Sequence, residues 1–326
     1  MPPIRKILVP LDGSSDAEAS LDHARSVARP LDAGLHLVRV VTARGPEAGP
    51  DPVRWRLAKR DAEAYLAERG RRLRDDGFEV EESVLAGRPA EEIVSHARRH
   101  GADLVVLTRG GAGGSRGAPM GGTAHKVVYR IGASVLLLEP GPAGSPNGGA
   151  PYRKIMVPVD GSPASEWALR TAASLLPAAG GELLVARVLE PGGGDAGDRT
   201  RRDAEAGLEE MRRRVQRPGV RIETSVLSGE CAARRLHALA DERNVDLVMP
   251  SAHGRSGATP WPYGSVATNL LLHGRRPTLV LQDQPDRARA EPPRRAEPVR
   301  PERTEAGRSH PSESAARSGP ASTSRS

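Results

Sequence analysis

Aromatic residues and cysteine are scarce in this chain. Its 326 residues include three Trp, four Tyr, one Phe and a single cysteine, Cys231. With so few aromatic rings, the core is expected to consist of Val, Leu, Ile and Ala. A single cysteine excludes an internal disulfide and a metal site built from several thiolates.

Long apolar runs are also lacking. No stretch approaches the about 20 apolar residues that a membrane helix needs. The first six residues lead directly into a short strand and do not resemble a signal peptide. We therefore expect no membrane partner and a cytoplasmic location.

Charge and histidine placement exclude two further classes of site. Lys and Arg outnumber Asp and Glu by 48 to 41, giving a formal net charge of +7, but this excess forms no basic stripe in the body of the chain. We therefore expect no specific nucleic-acid partner. The nine histidines show no ligand spacing such as H-E-x-x-H, so the sequence predicts no metal site.

The chain does contain an internal repeat. IRKILVPLDGSS at 4–15 matches YRKIMVPVDGSP at 152–163. In the same order, GADLVVLTRGG matches NVDLVMPSAHG, GGTAHKVV matches GSVATNLL, and SVLLLEP matches TLVLQDQ. We predict two tandem domains, 1–140 and 152–284, joined by a linker at 141–151. The tail, 285–326, is expected to be disordered because Val299 is its only large aliphatic residue.

Each half alternates short apolar strands with helices. In the first half the pattern predicts strands at 7–9, 35–41, 78–85, 104–107 and 135–138, with helices at 14–28, 52–76, 90–100 and 122–130. The second half repeats it with strands at 155–157, 183–189, 220–227, 247–249 and 279–281. This alternation predicts two α/β domains with doubly wound parallel sheets, flavodoxin-like or Rossmann-like. An unpaired apolar last strand would promote aggregation, so we expect the two halves to pack together as a pseudo-dimer.

Ligands of doubly wound sheets bind beyond the carboxyl ends of the strands, where the strand order reverses. After the first strand of each half, this rule selects Pro10 and Asp12 in one half and Pro158 and Asp160 in the other. A carboxylate would repel a triphosphate, so the aspartates are expected to bind a ribose hydroxyl or an adenine amine. An apolar residue at the end of the second strand, Val40 or Val188, could cover the base.

A glycine-rich loop follows the fourth strand of each half. In the second half, nine residues separate Gly254 from Gly264, and Ser265 then opens a helix, with Val266 next to it. Glycines let backbone N–H groups approach an anion, and a helix N-terminus adds unpaired donors. The loop therefore predicts a triphosphate cradle. In the first half the corresponding residues are Gly111, Gly121 and Gly122.

The VP-x-DGS motif, the (A/V)DLVV strand and the G-x9-GS loop resemble the universal stress protein family, twice over, across nearly all of 1–284. Family members that bind ATP carry G-x2-G-x9-G-(S/T) after the fourth strand. Ser251 replaces the first Gly of that motif in the second half. In the first half, Thr108 replaces the same Gly, and Gly122 replaces the final Ser or Thr.

The resemblance implies a stress-response regulatory protein that binds ATP, more tightly in its second half, with Mg²⁺ present only as a companion of ATP. It also implies an unidentified protein partner and apolar last strands that meet at a dimer interface, within the chain or in a homodimer. The alternative is a platform for protein–protein interaction that binds no nucleotide.

Other interpretations of these residues stay open. A ligase or kinase is disfavoured because there is no G-x4-G-K-[ST] loop and no obvious general base, so at most slow ATP hydrolysis is expected. Asp12 and Asp160 could serve only Asp-Gly turns. Near the loops, Arg109 and His253 are expected to be solvated, and Cys231 is expected to be a small buried residue.

Overall fold

The structure is a computed structural model that describes residues 3–42, 52–110, 120–139, 152–189, 194–254 and 262–283. The expected linker at 141–151 and the expected tail at 285–326 lie outside these ranges, and so does Gly111.

Both halves alternate strands and helices as the sequence predicts. The first half contains β1 (Lys6–Pro10), α1 (Ser15–Leu31), β2 (Gly34–Val41), α2 (Pro52–Asp75), β3 (Val80–Ala86), α3 (Pro89–Arg99), β4 (Leu104–Thr108), α4 (Gly122–Arg130) and β5 (Ser134–Leu138). The second half contains β6 (Lys154–Pro158), α5 (Pro163–Leu175), β7 (Gly181–Leu189), α6 (Gly194–Val215), β8 (Val220–Ser228), α7 (Ala232–Glu242), β9 (Leu247–Val248), α8 (Ser265–His273) and β10 (Thr278–Val280).

Several boundaries differ from the prediction, and two of these differences follow from backbone chemistry. The first helix continues past Ala28 to Leu31 and includes Pro30, which the last turn accommodates. It ends where Asp32 adopts a left-handed φ of 51° and donates its N–H to carbonyls of the last turn. Strand β9 ends at Val248, earlier than predicted, because Pro250 has no N–H to offer the ladder.

The strands of the described residues form one sheet with the order β3-β2-β1-β4-β5-β10-β9-β6-β7-β8. Pairing within each half is parallel, whereas β5 and β10 pair antiparallel, with Leu136 opposite Leu279. The two apolar last strands therefore join the halves into a continuous sheet. The prediction of two doubly wound α/β domains is confirmed.

Helices cover both faces of the sheet, and the core consists mainly of aliphatic side chains, as expected. On one face, residues of α1, α2, α5 and α6 pack against strand residues such as Leu37 and Val185. On the other face, α3, α4 and α8 pack against residues such as Val38 and Val105. Among the described residues, no helix is long and apolar enough to cross a membrane.

Candidate functional site

The strand order reverses between β1 and β4 in the first half, and a cleft lies at that point. The cleft has a volume of about 580 Å³. The predicted residues of this half that the structure describes all line it: Pro10, Asp12, Val40, Gly121 and Gly122. The structure therefore brings together residues from β1, β2 and α4 that lie far apart in sequence.

A smaller cleft of about 160 Å³ lies at the equivalent place in the second half. Every residue predicted for this half contributes to its lining: Pro158, Asp160, Val188, Gly254, Gly264, Ser265 and Val266. The described residues that the sequence selects therefore lie together in each half, in two clefts that differ in volume.

A helix begins at the floor of each cleft, directly after a glycine. Gly121 is the N-cap of α4 and Gly264 is the N-cap of α8, and neither brings a side chain that could cap the helix. The Gly121 N–H donates to the Arg109 carbonyl at 2.8 Å, and the Gly264 N–H donates to the Ala252 carbonyl at 2.7 Å. Each helix start is thus fixed to the end of the fourth strand of its half, and its first-turn amides suit an anion.

The two aspartates beside the clefts also hold turns. Asp12 Oδ1 accepts hydrogen bonds from the Ser14 N–H at 2.9 Å and the Ser14 hydroxyl at 2.6 Å. Asp160 Oδ1 likewise accepts the Ser162 N–H at 3.0 Å. The intervening glycines have positive φ values of 88° and 83°, which favour glycine. The turn role considered for these aspartates is therefore present in both halves, alongside their position in the cleft walls.

Gly254 shows why this loop position of the second half requires glycine. A Cβ atom built on Gly254 would collide with Oδ2 of Asp160. Any side chain there would displace the carboxylate that lines the cleft. Gly254 and Asp160 therefore pack directly against each other, and the position of the carboxylate depends on the glycine.

The clefts differ in residues that sequence reasoning missed. Thr123 and Lys126 of α4 line the first cleft, together with Arg88 at the start of α3. The described lining of the second cleft contains no Lys or Arg, and Val266 lies at the position of Thr123. The alignment of GGTAHKVV with GSVATNLL indicates this difference. The second half has its hydroxyl at Ser265, whereas the first half has one at the next position, Thr123.

Arg109 is not solvated, contrary to the prediction. Only 9% of it is exposed, and its guanidinium donates to the carbonyls of Leu271, Leu272 and Gly274 at 2.6–2.9 Å. It also pairs with Glu139 at 2.8 Å. The prediction is wrong because the partners lie at the C-terminal end of α8, in the other half, where orphan carbonyls need donors.

His253 and Cys231 also differ from expectation. His253 is 6% exposed, and its Nδ1 lies 2.8 Å from Asp283 Oδ1, so it is a buried, paired residue and not a solvated one. Cys231 is exposed at the N-cap of α7, where it makes no side-chain capping bond. The prediction of a buried Cys231 is wrong because an N-cap residue lies at the end of its helix, outside the face that packs against the sheet.

The structure also brings together three histidines outside the clefts, His36 of β2 and His96 and His100 at the end of α3. No sequence motif links these histidines, because His36 on the strand lies 60 residues before His96 on the helix. The i,i+4 spacing of His96 and His100 was the available local signal.

The fold and the clefts define a tandem doubly wound α/β protein with one cleft at the switch point of each half. The model of the universal stress protein family matches residues 3–139 and 151–282. The chain therefore belongs to the universal stress protein family, and this membership supports a role in the stress response.

Known relatives agree with this assignment. Universal stress protein Rv2005c of Mycobacterium tuberculosis is 25% identical over 85% of this chain and 97% of its own length. Universal stress protein MJ0531 of Methanocaldococcus jannaschii is 27% identical over 41% of this chain and 82% of its own. A universal stress protein structure from Archaeoglobus fulgidus, with 18% identity, superposes with a TM-score of 0.62 over 85% of this chain and 98% of its own, which shows the shared fold.

Proposed function

We propose that this protein is a stress-response regulator that binds ATP in its clefts. The observation that carries the proposal is the first cleft, which combines a volume of about 580 Å³ with an apolar wall, a carboxylate and an uncapped helix start. Pockets for small molecules typically have volumes of about 300–1,000 Å³ and few polar groups. The first cleft therefore has the size and chemistry that a nucleotide needs.

Each part of the cleft suits one part of the ligand. Val38 and Val40 form an apolar surface for the base at the end of β2. Asp12 suits a ribose hydroxyl or an adenine amine, because its carboxylate accepts hydrogen bonds. The first-turn amides of α4, with Lys126 and Arg88, suit the phosphates. Mg²⁺ would enter only with the triphosphate.

The geometry favours the first cleft, whereas the sequence motif predicts tighter binding in the second. The second cleft has a volume of about 160 Å³ and must widen to admit a nucleotide. The first cleft has more room, the Thr123 hydroxyl and three lining cations, Arg88, Arg109 and Lys126. We therefore propose that ATP binds first and more tightly in the first half, with the second half as a weaker site.

Calorimetric titration of ATP into the full-length protein tests this proposal. Gly122 is the residue to change, because it lines the first cleft and a Cβ atom added there meets nothing within 4 Å. A larger side chain should therefore leave the fold intact and occupy space that the ligand needs. Gly122→Val should weaken the tightest ATP binding at least tenfold. Its positional counterpart in the second half, Ser265→Val, should leave that binding within twofold.

Two results would contradict the proposal. Equal losses in both variants would refute the ranking of the clefts. No binding by wild type at millimolar ATP would refute ATP binding and favour the alternative, a platform for an unidentified protein partner.

Whether or not ATP binds, we propose that the shared sheet makes a single chain act as a pseudo-dimer, so that a homodimer is not required. Light scattering that finds only dimers at low concentration would overturn this.

A further inference from the structure

The three clustered histidines lie in the first half, next to the cleft but outside its lining. His36 is near the start of β2, two residues before Val38, which lines the cleft. A strand rises about 3.3–3.4 Å per residue, so the two residues are separated by about 7 Å along the strand. The cluster is therefore a separate group of side chains beside the proposed nucleotide site.

The ring nitrogens have the spacing of metal ligands. Nε2 of His36 lies 3.3 Å from Nε2 of His96, and one nitrogen from each of the three rings falls within 4.8 Å of the others. Two imidazole nitrogens about 2.0–2.1 Å from a tetrahedral Zn²⁺ lie about 3.3 Å apart. His36 and His96 already have this separation. His100 is exposed, so its ring can turn to complete the set.

Hydrogen bonding alone does not satisfy this cluster. Nε2 of His36 has two neighbours at once, the Ser83 hydroxyl at 2.9 Å and Nε2 of His96 at 3.3 Å. Its buried Nδ1 has no hydrogen-bond partner among the described residues. A neutral imidazole has one donor and one acceptor nitrogen, so a single Nε2 cannot serve both neighbours well. A metal ion would accept the lone pairs of both rings.

A carboxylate lies near the second ring nitrogen of His36, the one that faces away from His96. Glu81 Oε2 is 3.4 Å from Nδ1 of His36, on the opposite side of that ring from His96. Metal-bound histidines commonly donate their second N–H to a carboxylate, which fixes the ring and increases its basicity. A small shift of the exposed Glu81 side chain would complete this arrangement and add a negative charge near the ion.

The second half provides an internal comparison. His36 pairs with Leu8 across the β1–β2 ladder as Leu184 pairs with Met156 across β6–β7. In the helices, the His100 N–H bonds to the His96 carbonyl at 3.0 Å, and the Arg243 N–H bonds to the Leu239 carbonyl at 3.0 Å. The counterparts of His36, His96 and His100 are therefore Leu184, Leu239 and Arg243.

This comparison shows what an ordinary core looks like at these positions. Leu184 and Leu239 are 2% and 5% exposed and pack together in an apolar cluster. His36 and His96 are buried to the same degree, each 3% exposed. Burying a polar ring without full hydrogen bonding is unfavourable, and the fold is compatible with leucine at both positions. The first half therefore places polar rings where the second half has an apolar contact.

The electrostatics of the rings are consistent with ligation. Burial lowers the pKa of His36, and burial together with neighbouring His100 lowers the pKa of His96 to about 4. Both rings are therefore neutral near pH 7, the form in which histidine binds metals. This supports an arrangement that already stands on the distances and on the comparison between halves.

We propose that His36, His96 and His100 form a binding site for a divalent late transition metal ion, with Zn²⁺ as the best fit, that ties β2 to the end of α3. Neutral imidazoles select Zn²⁺, Cu²⁺, Ni²⁺ or Co²⁺ over Mg²⁺ and Ca²⁺. The start of α3 lines the cleft of the first half. The ion would therefore fix the far end of a helix that borders the ligand cleft.

The test is calorimetric titration of ZnCl₂ into full-length protein that has been treated with EDTA, desalted and kept free of nucleotide. The expected result is one Zn²⁺ per chain, a raised melting temperature, and no competition from millimolar Mg²⁺. Titration with CoCl₂ should give the visible absorption of a tetrahedral Co²⁺ complex with nitrogen ligands.

Variants copied from the second half give the decisive comparison. His36→Leu with His96→Leu should abolish the Co²⁺ spectrum and the Zn²⁺ stabilisation. His100→Arg changes only the exposed ligand and should weaken Zn²⁺ binding at least tenfold, which keeps the test valid if the double variant does not fold. The control is His237→Val in α7, at the counterpart of Val94, which should bind Zn²⁺ as wild type does. Wild type without Zn²⁺ binding, or His100→Arg with unchanged affinity, overturns the proposal.

Discussion

Nδ1 of His23 lies 2.6 Å from the phenolic oxygen of Tyr152, so a helix of the first half is hydrogen-bonded to the residue that leads into the first strand of the second. Both side chains are buried, and Tyr152 has no exposed surface. Burial lowers the pKa of His23 to about 4. Burial therefore favours the neutral imidazole at this contact between the two halves.

The stability of the protein should decrease in mild acid because of His23. Its folded pKa of about 4 is below the unfolded value of 6.5, so the unfolded state binds more protons between these two pH values. Stability from the neutral ring is present above pH 6.5 and is lost as the pH falls towards 4. From pH 7 to pH 5 the loss should be about 2 kcal/mol.

Urea unfolding of wild type and His23→Gln at both pH values measures this contribution. The variant should lose about 2 kcal/mol less than wild type between pH 7 and pH 5, because all other titrating groups are common to the two proteins. Identical pH dependence in both proteins would show that His23 does not titrate as described.

Tyr152→Phe should destabilise the protein at pH 7. The ring remains, so the packing is kept, but the buried His23 nitrogen loses its partner. Leaving a buried polar group unsatisfied costs about 1–3 kcal/mol. Denaturant midpoints compared at equal m-values provide the measurement. Tyr263→Phe is the control, because the buried Tyr263 hydroxyl has no hydrogen-bond partner among the described residues. Its removal should lower stability by less than about 0.5 kcal/mol.

Arg109→Ala should weaken the contact between halves. The substitution removes three donors to the C-terminal carbonyls of α8, for an expected loss of about 3 kcal/mol at neutral pH. Arg98 donates to the Arg130 carbonyl at the end of α4, within its own half, and is more exposed. Arg98→Ala should therefore cost less than about 1 kcal/mol. Similar losses in thermal and urea unfolding of the two variants would contradict the importance of the cross-half contact.

Lys126→Ala should distinguish the phosphate contacts from the base contacts. Lys126 lines the first cleft near the start of α4, so its loss should weaken ATP binding about tenfold. Adenosine carries no phosphate, and its affinity should be unchanged. Asn269→Ala, at the corresponding position of α8, serves as the matched control in the same titrations. An equal loss of affinity for ATP and for adenosine would show that Lys126 does not contact the phosphates.

Local patterns in the sequence were sufficient for much of this structure. Alternation of apolar runs with capped helices predicts every strand, and the spacing from Gly254 to Gly264 predicts the start of α8. The carboxyl-end rule then locates both clefts. Such signals are short-range, because each depends on a few neighbouring residues and on the order of elements.

Contacts between distant elements could not be predicted in this way. Arg109 looks like a loop arginine until α8 of the other half is folded beside it. The volumes of the two clefts show the same limit, because a motif residue such as Ser265 does not reveal how whole helices pack on the sheet. His36 and His96 show the same limit, because no local pattern reveals that a strand and a helix will bring their rings together.

The antiparallel pairing of β5 with β10 has a consequence for how the two clefts can differ. In an assembly of two identical chains, every substitution changes both clefts, and dilution separates them. Here the two clefts are encoded separately but are synthesised together in a fixed one-to-one ratio. One cleft can therefore acquire Thr123 and Lys126 while the other keeps Ser265, and their pairing is independent of the cellular protein concentration.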